Sequence, residues 1–167
     1  MGCTPSKTGH PRPIQHISGP IGGLEMIPPQ QRDADGRPIF FEDHQLSREQ
    51  ITTALHHMAE YIHQQAREVV LISLGGAVST ILLETREATY DVDFFLPNDE
   101  AEIAKLITSA SVYAQERAVV PLGNNWLNNS ASLFMSRPLR EELASEALRQ
   151  NEKIFEAPGL TIFAAPW

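Results

Sequence analysis

Two pairs of residues in the stretch LGGAVSTILLETREATYDVDFF, residues 74–95, have the types and the spacing to do chemistry together. Asp91 and Asp93 alternate with Val92 and Phe94, the period-two pattern of a strand with one polar face. Both carboxylates are therefore expected to point the same way. Two hard oxygen ligands so placed suit magnesium, which takes one or two protein carboxylates and completes its shell with water and substrate phosphate. A pair of such ions, about 3.5–4 Å apart, can activate an attacking hydroxyl and stabilise the leaving oxygen in phosphoryl-type transfer.

Gly75 and Gly76 supply the other half of the pattern. Glycines ahead of a helix start let backbone N–H groups approach a phosphate closely, because no Cβ intervenes. Ser79 and Thr80 would add hydroxyl contacts, and Arg86 would neutralise phosphate charge. Each piece has a plainer reading by itself: a strand–Gly–Gly–helix junction is usually only a turn, and alternating aspartates usually mark a solvated face. The order and spacing of the pieces make the stronger case.

The elements that must hold these residues can be read from periodicity and caps. Ser47 followed by Gln50 forms a capping-box pattern, and Ile51, Leu55, Met58 and Ile62 recur at helical spacing behind it. His56, His57 and His63 lie on the same helix, but no third ligand stands nearby to make them a metal site. VVLISL, residues 69–74, is short, apolar and β-branched, the pattern of a buried strand. A short helix over 77–85 and the strand YDVDFFL follow, then a long helix from about Asp99 to Arg117. PLGNNWLNNS is loop chemistry, with Trp126 and Leu127 tucked inward. Residues 138–149 form a helix capped by Ser136, and the chain closes with two strand-like runs about a Pro-Gly turn.

The segment Gly75-Gly76, fourteen residues, then Asp91-Val92-Asp93-Phe94 resembles the signature of the DNA polymerase beta-like nucleotidyltransferase superfamily. It is similar in detail to abortive-infection-type members and to a group of fungal proteins that pair such a segment with an acylation-type start. The resemblance implies an α+β fold, a nucleotidyltransferase-like small mixed β-sheet flanked by helices. It also implies binding of a nucleoside triphosphate with two Mg2+ ions and transfer of a nucleotidyl group to an acceptor hydroxyl. Carried onto this chain, Gly75, Gly76, Ser79 and Arg86 would contact the nucleotide, and Asp91 and Asp93 would hold the metal. Arg86 and Thr89 match the arginine and threonine that precede the aspartates in that superfamily. A third catalytic carboxylate is expected from a later strand, and Glu156 in KIFEA stands nearest in position. Members of the superfamily continue into a further helix where this chain stops, so the domain is expected to be incomplete at its carboxyl end. The alternative is a catalytically inactive member acting as a membrane-anchored binding or interaction module.

Seven of the twelve prolines and six of the ten glycines lie within residues 1–38, and few apolar residues there are consecutive. Such a segment cannot bury enough surface to offset its chain entropy. Residues 1–45 are therefore expected to be a disordered arm and residues 46–167 the domain. The arm opens MGCTPSK, which fits the N-myristoylation pattern at Gly2, and Cys3 stands where palmitoylation would add a second chain. Two chains anchor stably where one does not, which predicts a place on the cytoplasmic side of a membrane. Cys3 is the single cysteine, so no intramolecular disulfide can form. The formal charge of −8, with no basic stripe, leaves a nucleic-acid partner unsupported.

Overall fold

The computed structural model describes residues 26–28, 32–98 and 100–166. Its elements run β1 (Leu46–Ser47), α1 (Arg48–Gln64), β2 (Val69–Leu74), α2 (Gly76–Ile81), β3 (Ala88–Thr89), β4 (Val92–Phe95), α3 (Ala101–Arg117), β5 (Leu127–Asn128), a 3₁₀ turn (Ser130–Phe134), α4 (Arg137–Gln150), β6 (Lys153–Ala157) and β7 (Leu160–Ala164). The fold is mixed α+β, as the sequence predicts.

Helix α1 starts where its cap chemistry says it should. Ser47 Oγ accepts from the Gln50 N–H and the Gln50 side chain accepts from the Ser47 N–H, so two otherwise orphaned donors are satisfied reciprocally. The buried stripe Ile51, Leu55, Met58 and Ile62 then faces the sheet. At α4 the Ser136 cap and the proline in the first turn are both in place, and Asn151 ends the helix in the left-handed conformation. Helix α2 is shorter than the expected 77–85 run: it ends at Ile81, and Glu84 takes a positive φ of 53°.

Five strands form one sheet in the order β5-β4-β2-β7-β6, and β1 pairs with β3 apart from it. Strand β2 lies antiparallel to β4 and parallel to β7, so the sheet is mixed. Its two faces separate two cores. Val69 and Leu71 of β2 and Val92 and Phe94 of β4 join the larger core with α1 and α3, while Ile72 and Phe95 pack with Ala144 and Ala147 of α4 and with Phe163. Alternation therefore directs Asp93 to the α4 side, at the end of β2 where Leu74 is its register partner.

The arm does not end where composition suggests. Ile27 is 1% exposed, its N–H donates to Asn129 Oδ1 at 2.9 Å, and the Asn129 N–H donates back to the Ile27 carbonyl at 3.2 Å. Phe41 N–H donates to Asn124 Oδ1 at 2.8 Å, and Asp43 binds Asn125. The expectation of a disordered segment through residue 45 is thus corrected for the described residues from 26 onward. Paired polar groups and one deep isoleucine tie this stretch to the residues on either side of β5, although its composition carries little apolar patterning. No helix among the described residues is long and apolar enough to cross a membrane.

Candidate functional site

The candidate residues meet at one end of the sheet, where β2 stops, β4 begins and β5 joins β4. Gly75 ends β2 with φ 70° and ψ −136°, a conformation open essentially to glycine. A Cβ at Gly75 would stand 3.3 Å from Asp93 Oδ2, so the turn and the acid touch. A Cβ at Gly76 would fall inside the contact distance of Thr89 Oγ1, 3.0 Å from Thr89 Cβ and 3.7 Å from Arg86 Nη1. Gly75, Gly76, Arg86, Thr89 and Asp93 therefore form one cluster around the turn. Asp91 joins it through the backbone and through Asn128.

Each side chain is set by its element. Ser73, fully buried on β2, donates its hydroxyl to the Asp93 carbonyl at 3.0 Å and locks β4 beside the turn. Thr89 is 6% exposed, and its hydroxyl donates to the Asp91 carbonyl at 3.4 Å. Ser79 points its hydroxyl back to the Gly75 carbonyl at 3.3 Å, so its donor is used within the turn. Arg86 is exposed and makes no ion pair among the described residues, whereas nearby Glu84 is engaged by Arg48. The Arg86 guanidinium thus stands beside the glycine turn.

Sequence reasoning missed Asn128. It lies on β5 in register with Asp93, and its amide nitrogen donates to Asp91 Oδ2 at 3.1 Å and to the Asn125 carbonyl at 3.3 Å. Its Oδ1 accepts from the Ser130 N–H at 3.1 Å, which fixes the orientation of the amide. The group that Asn128 presents to the acids is therefore a donor. The sequence signal was slight: two Asn-Asn pairs flanking Trp126-Leu127, in a segment whose two-residue strand is too short to show a period.

Burial, the charge of Asp93 and, more weakly, the charge of Asp43 push the Asp91 carboxyl above its ordinary value, against the opposing hydrogen bond from Asn128. Burial also raises Asp93, again opposed by Asn128. Two half-buried carboxylates on one side of a strand that resist ionisation are a pair whose charge a cation would relieve. Aspartate oxygens are the donor type that magnesium takes, one or two at a time, with its remaining positions left to water and phosphate.

Glu156 does not join them. It lies on β6 at the opposite edge of the sheet, with β2 and β7 between β6 and β4, a separation of roughly 14 Å at the usual strand spacing. The side chain is exposed and pairs with Lys153 Nζ at 2.6 Å. Among the described residues no group of three or more His, Cys, Asp or Glu side chains is arranged to hold a metal. Among the described residues, then, no third carboxylate is arranged with the pair to share an ion, although Asp43 is near enough for its charge to reach Asp91.

Two clefts open elsewhere among the described residues. One, of about 290 Å³, is lined by Ile39, Phe41, Gln115, Asn125 and Trp126; the other, of about 360 Å³, lies between the start of α1 and the end of α3 around Thr53, His57, Arg117 and Val119. Neither is walled by Asp91, Asp93 or the glycine turn. Gly2 and Cys3 lie outside the described residues. Comparison with protein-family models, with curated proteins and with solved structures gave no match.

Proposed function

We propose that this chain is a nucleotidyltransferase-like domain that binds a magnesium–nucleoside triphosphate complex and does not transfer the nucleotidyl group. The observation that carries the reading is the contact between the Gly75 turn and Asp93. Gly75 and Gly76 offer backbone N–H groups to phosphate, Arg86 offers a guanidinium without an ion pair among the described residues, and Asp91 and Asp93 hold the ion from the other side. Magnesium, when bound, would neutralise the acid pair and screen the phosphates. The chain's own residues then supply orientation: Ser73 and Thr89 fix the backbone of the two acids, and Asn128 holds one oxygen of Asp91.

Binding is favoured over transfer because deprotonating an acceptor hydroxyl needs a base beside the ions. Glu156 is at the far edge of the sheet, and Asn128, in register with Asp93, has no basic oxygen turned toward the pair. Nucleotide affinity should be measured by calorimetry with and without Mg2+, in parallel with incorporation of α-labelled nucleotide. Magnesium-dependent binding that is lost in Asp91→Asn and Asp93→Asn, without incorporation, is the expected result. Metal-dependent incorporation that those variants abolish would replace this reading with the active transferase.

The amino-terminal pattern at Gly2 and Cys3 supports a lipid anchor that places this domain at the cytoplasmic face of a membrane. Metabolic labelling with a myristate analogue should mark the full chain and not Gly2→Ala. Equal labelling of both would remove the anchor from the proposal.

A further inference from the structure

The asparagine-rich segment that runs from Asn124 through β5 to Asn129 has two jobs, divided between its residues. Asn124, Asn125 and Asn129 hold the segment that precedes β1, through Phe41, Asp43 and Ile27 respectively. Asn128 holds Asp91. The two jobs meet at Asn125. Its backbone N–H donates to Asp43 Oδ1 at 3.2 Å and its side-chain amide to Asp43 Oδ2 at 3.0 Å, so both oxygens of one carboxylate grip one residue. The carbonyl of that same residue accepts the Asn128 amide at 3.3 Å. Gly123 leaves the space for this grip, since a Cβ there would stand 2.6 Å from Asp43 Oδ1.

We infer that Asp43 is a positioning residue for the acid pair: by clamping Asn125 it fixes the carbonyl that, together with Asp91 and the Ser130 N–H, sets the plane of the Asn128 amide. The inference rests on the reading of Asp91 and Asp93 as the ion-holding pair. Asp43 itself touches neither the ion nor the nucleotide. It acts across 82 residues of chain, so the segment ahead of the first helix is a working part of the site rather than a tether. The clamp is charge-assisted and doubly made, which suits it to holding a loop that has only a two-residue strand of its own. Asn128 is thereby kept on Asp91 Oδ2, and the other oxygen of Asp91 remains available to a cation.

Two substitutions separate clamping from charge. Asp43→Asn removes the charge but keeps an oxygen that can accept the Asn125 N–H; Asp43→Ala removes both. In the full chain, the side-chain amide protons of Asn128 are followed by NMR hydrogen exchange, a readout that needs no metal. Exchange at Asn128 should quicken modestly in Asp43→Asn, which keeps one of the two bonds, and about tenfold in Asp43→Ala, the size expected for loss of one hydrogen bond to a charged group. Mn2+ affinity should fall further in Asp43→Ala than in Asp43→Asn, because both lose the charge that reaches Asp91 and only the alanine loses both bonds to Asn125.

Wild-type exchange at Asn128 in Asp43→Ala, alongside lost protection of the Phe41 N–H, would mean that Asp43 only holds the preceding segment, and the inference would be overturned. Should Asp43→Ala not fold, Asn125→Ala takes its place, because it removes the side-chain half of the clamp and keeps the carbonyl. Quickened exchange at Asn128 supports the inference there, and unchanged exchange overturns it. If the wild-type chain binds no Mn2+, the proposed function fails, while the exchange data still decide the clamp.

Discussion

Gly76→Ala tests the packing on which the cluster depends. The backbone at Gly76 is not in the left-handed region, so the added methyl costs space and not conformation. That space is taken. The Cβ would overlap Thr89 Oγ1 and lie 3.0 Å from Thr89 Cβ, and Thr89 is 6% exposed, with little room to withdraw. Overpacking of this kind costs about 1–3 kcal/mol. Gly76 is also the first residue of α2, and alanine's better helix propensity offsets up to about 1 kcal/mol of that. The net expectation is a loss of about 1–2 kcal/mol, or roughly 4–8 °C in the thermal midpoint for a domain of this size. Thr89→Ala removes the overlapping oxygen. In urea denaturation the double variant should therefore recover stability relative to the sum of the single changes, with a coupling of about 1 kcal/mol. Gly76→Ala within about 0.5 kcal/mol of wild type, or strictly additive effects, would refute the proposed contact between the turn and Thr89.

The raised carboxyls give a pH signature. With the folded value of Asp93 above its ordinary 3.8, the native state holds more protons in that window, so stability falls as pH rises through it. Asp93→Asn should be more stable than metal-free wild type at neutral pH by about 0.5 kcal/mol, a small figure because the carboxylate keeps water contact. The advantage should vanish below pH 3.8 and reverse with Mg2+; thermal melts across pH, with and without the ion, check both. Asn128→Asp should destabilise the metal-free chain by about 2–3 kcal/mol, since two donated bonds are lost and a third charge is added, and should enlarge the stabilisation by Mg2+ measured in the same melts. Glu156→Gln should leave magnesium-dependent nucleotide affinity unchanged by calorimetry and cost under about 1 kcal/mol, because its pair with Lys153 is exposed.

Local rules make part of this molecule readable from its sequence. The Ser47–Gln50 box, the helical stripe of α1, the run of β2 and the Pro-Gly hairpin are each specified by residues close in sequence, and each is present where expected. The alternation around Asp93 was legible for the same reason. What failed was long-range. Glu156 does sit on a late strand, but strand order is not written in any short window, and β7 comes between β6 and β2. Ile27 is held by Asn129, 102 residues away, so composition alone left it outside the domain. Asn128 gains its meaning only from register with Asp93, which a two-residue strand cannot announce.

The sheet order also constrains how the chain can be made. Strand β2 is flanked by β4 on one side and by β7 on the other, and the hairpin bearing β7 is tied back to the start of β2 by the Gly159 N–H donating to Glu68, 91 residues earlier. A ribosome-bound chain that has emerged only through α4 already has its glycine turn and both aspartates, yet one rim of β2 still offers bare amide and carbonyl groups to any neighbour. During synthesis that rim is where a chaperone, or a second nascent copy, would find purchase until residues 153–164 arrive to cover it.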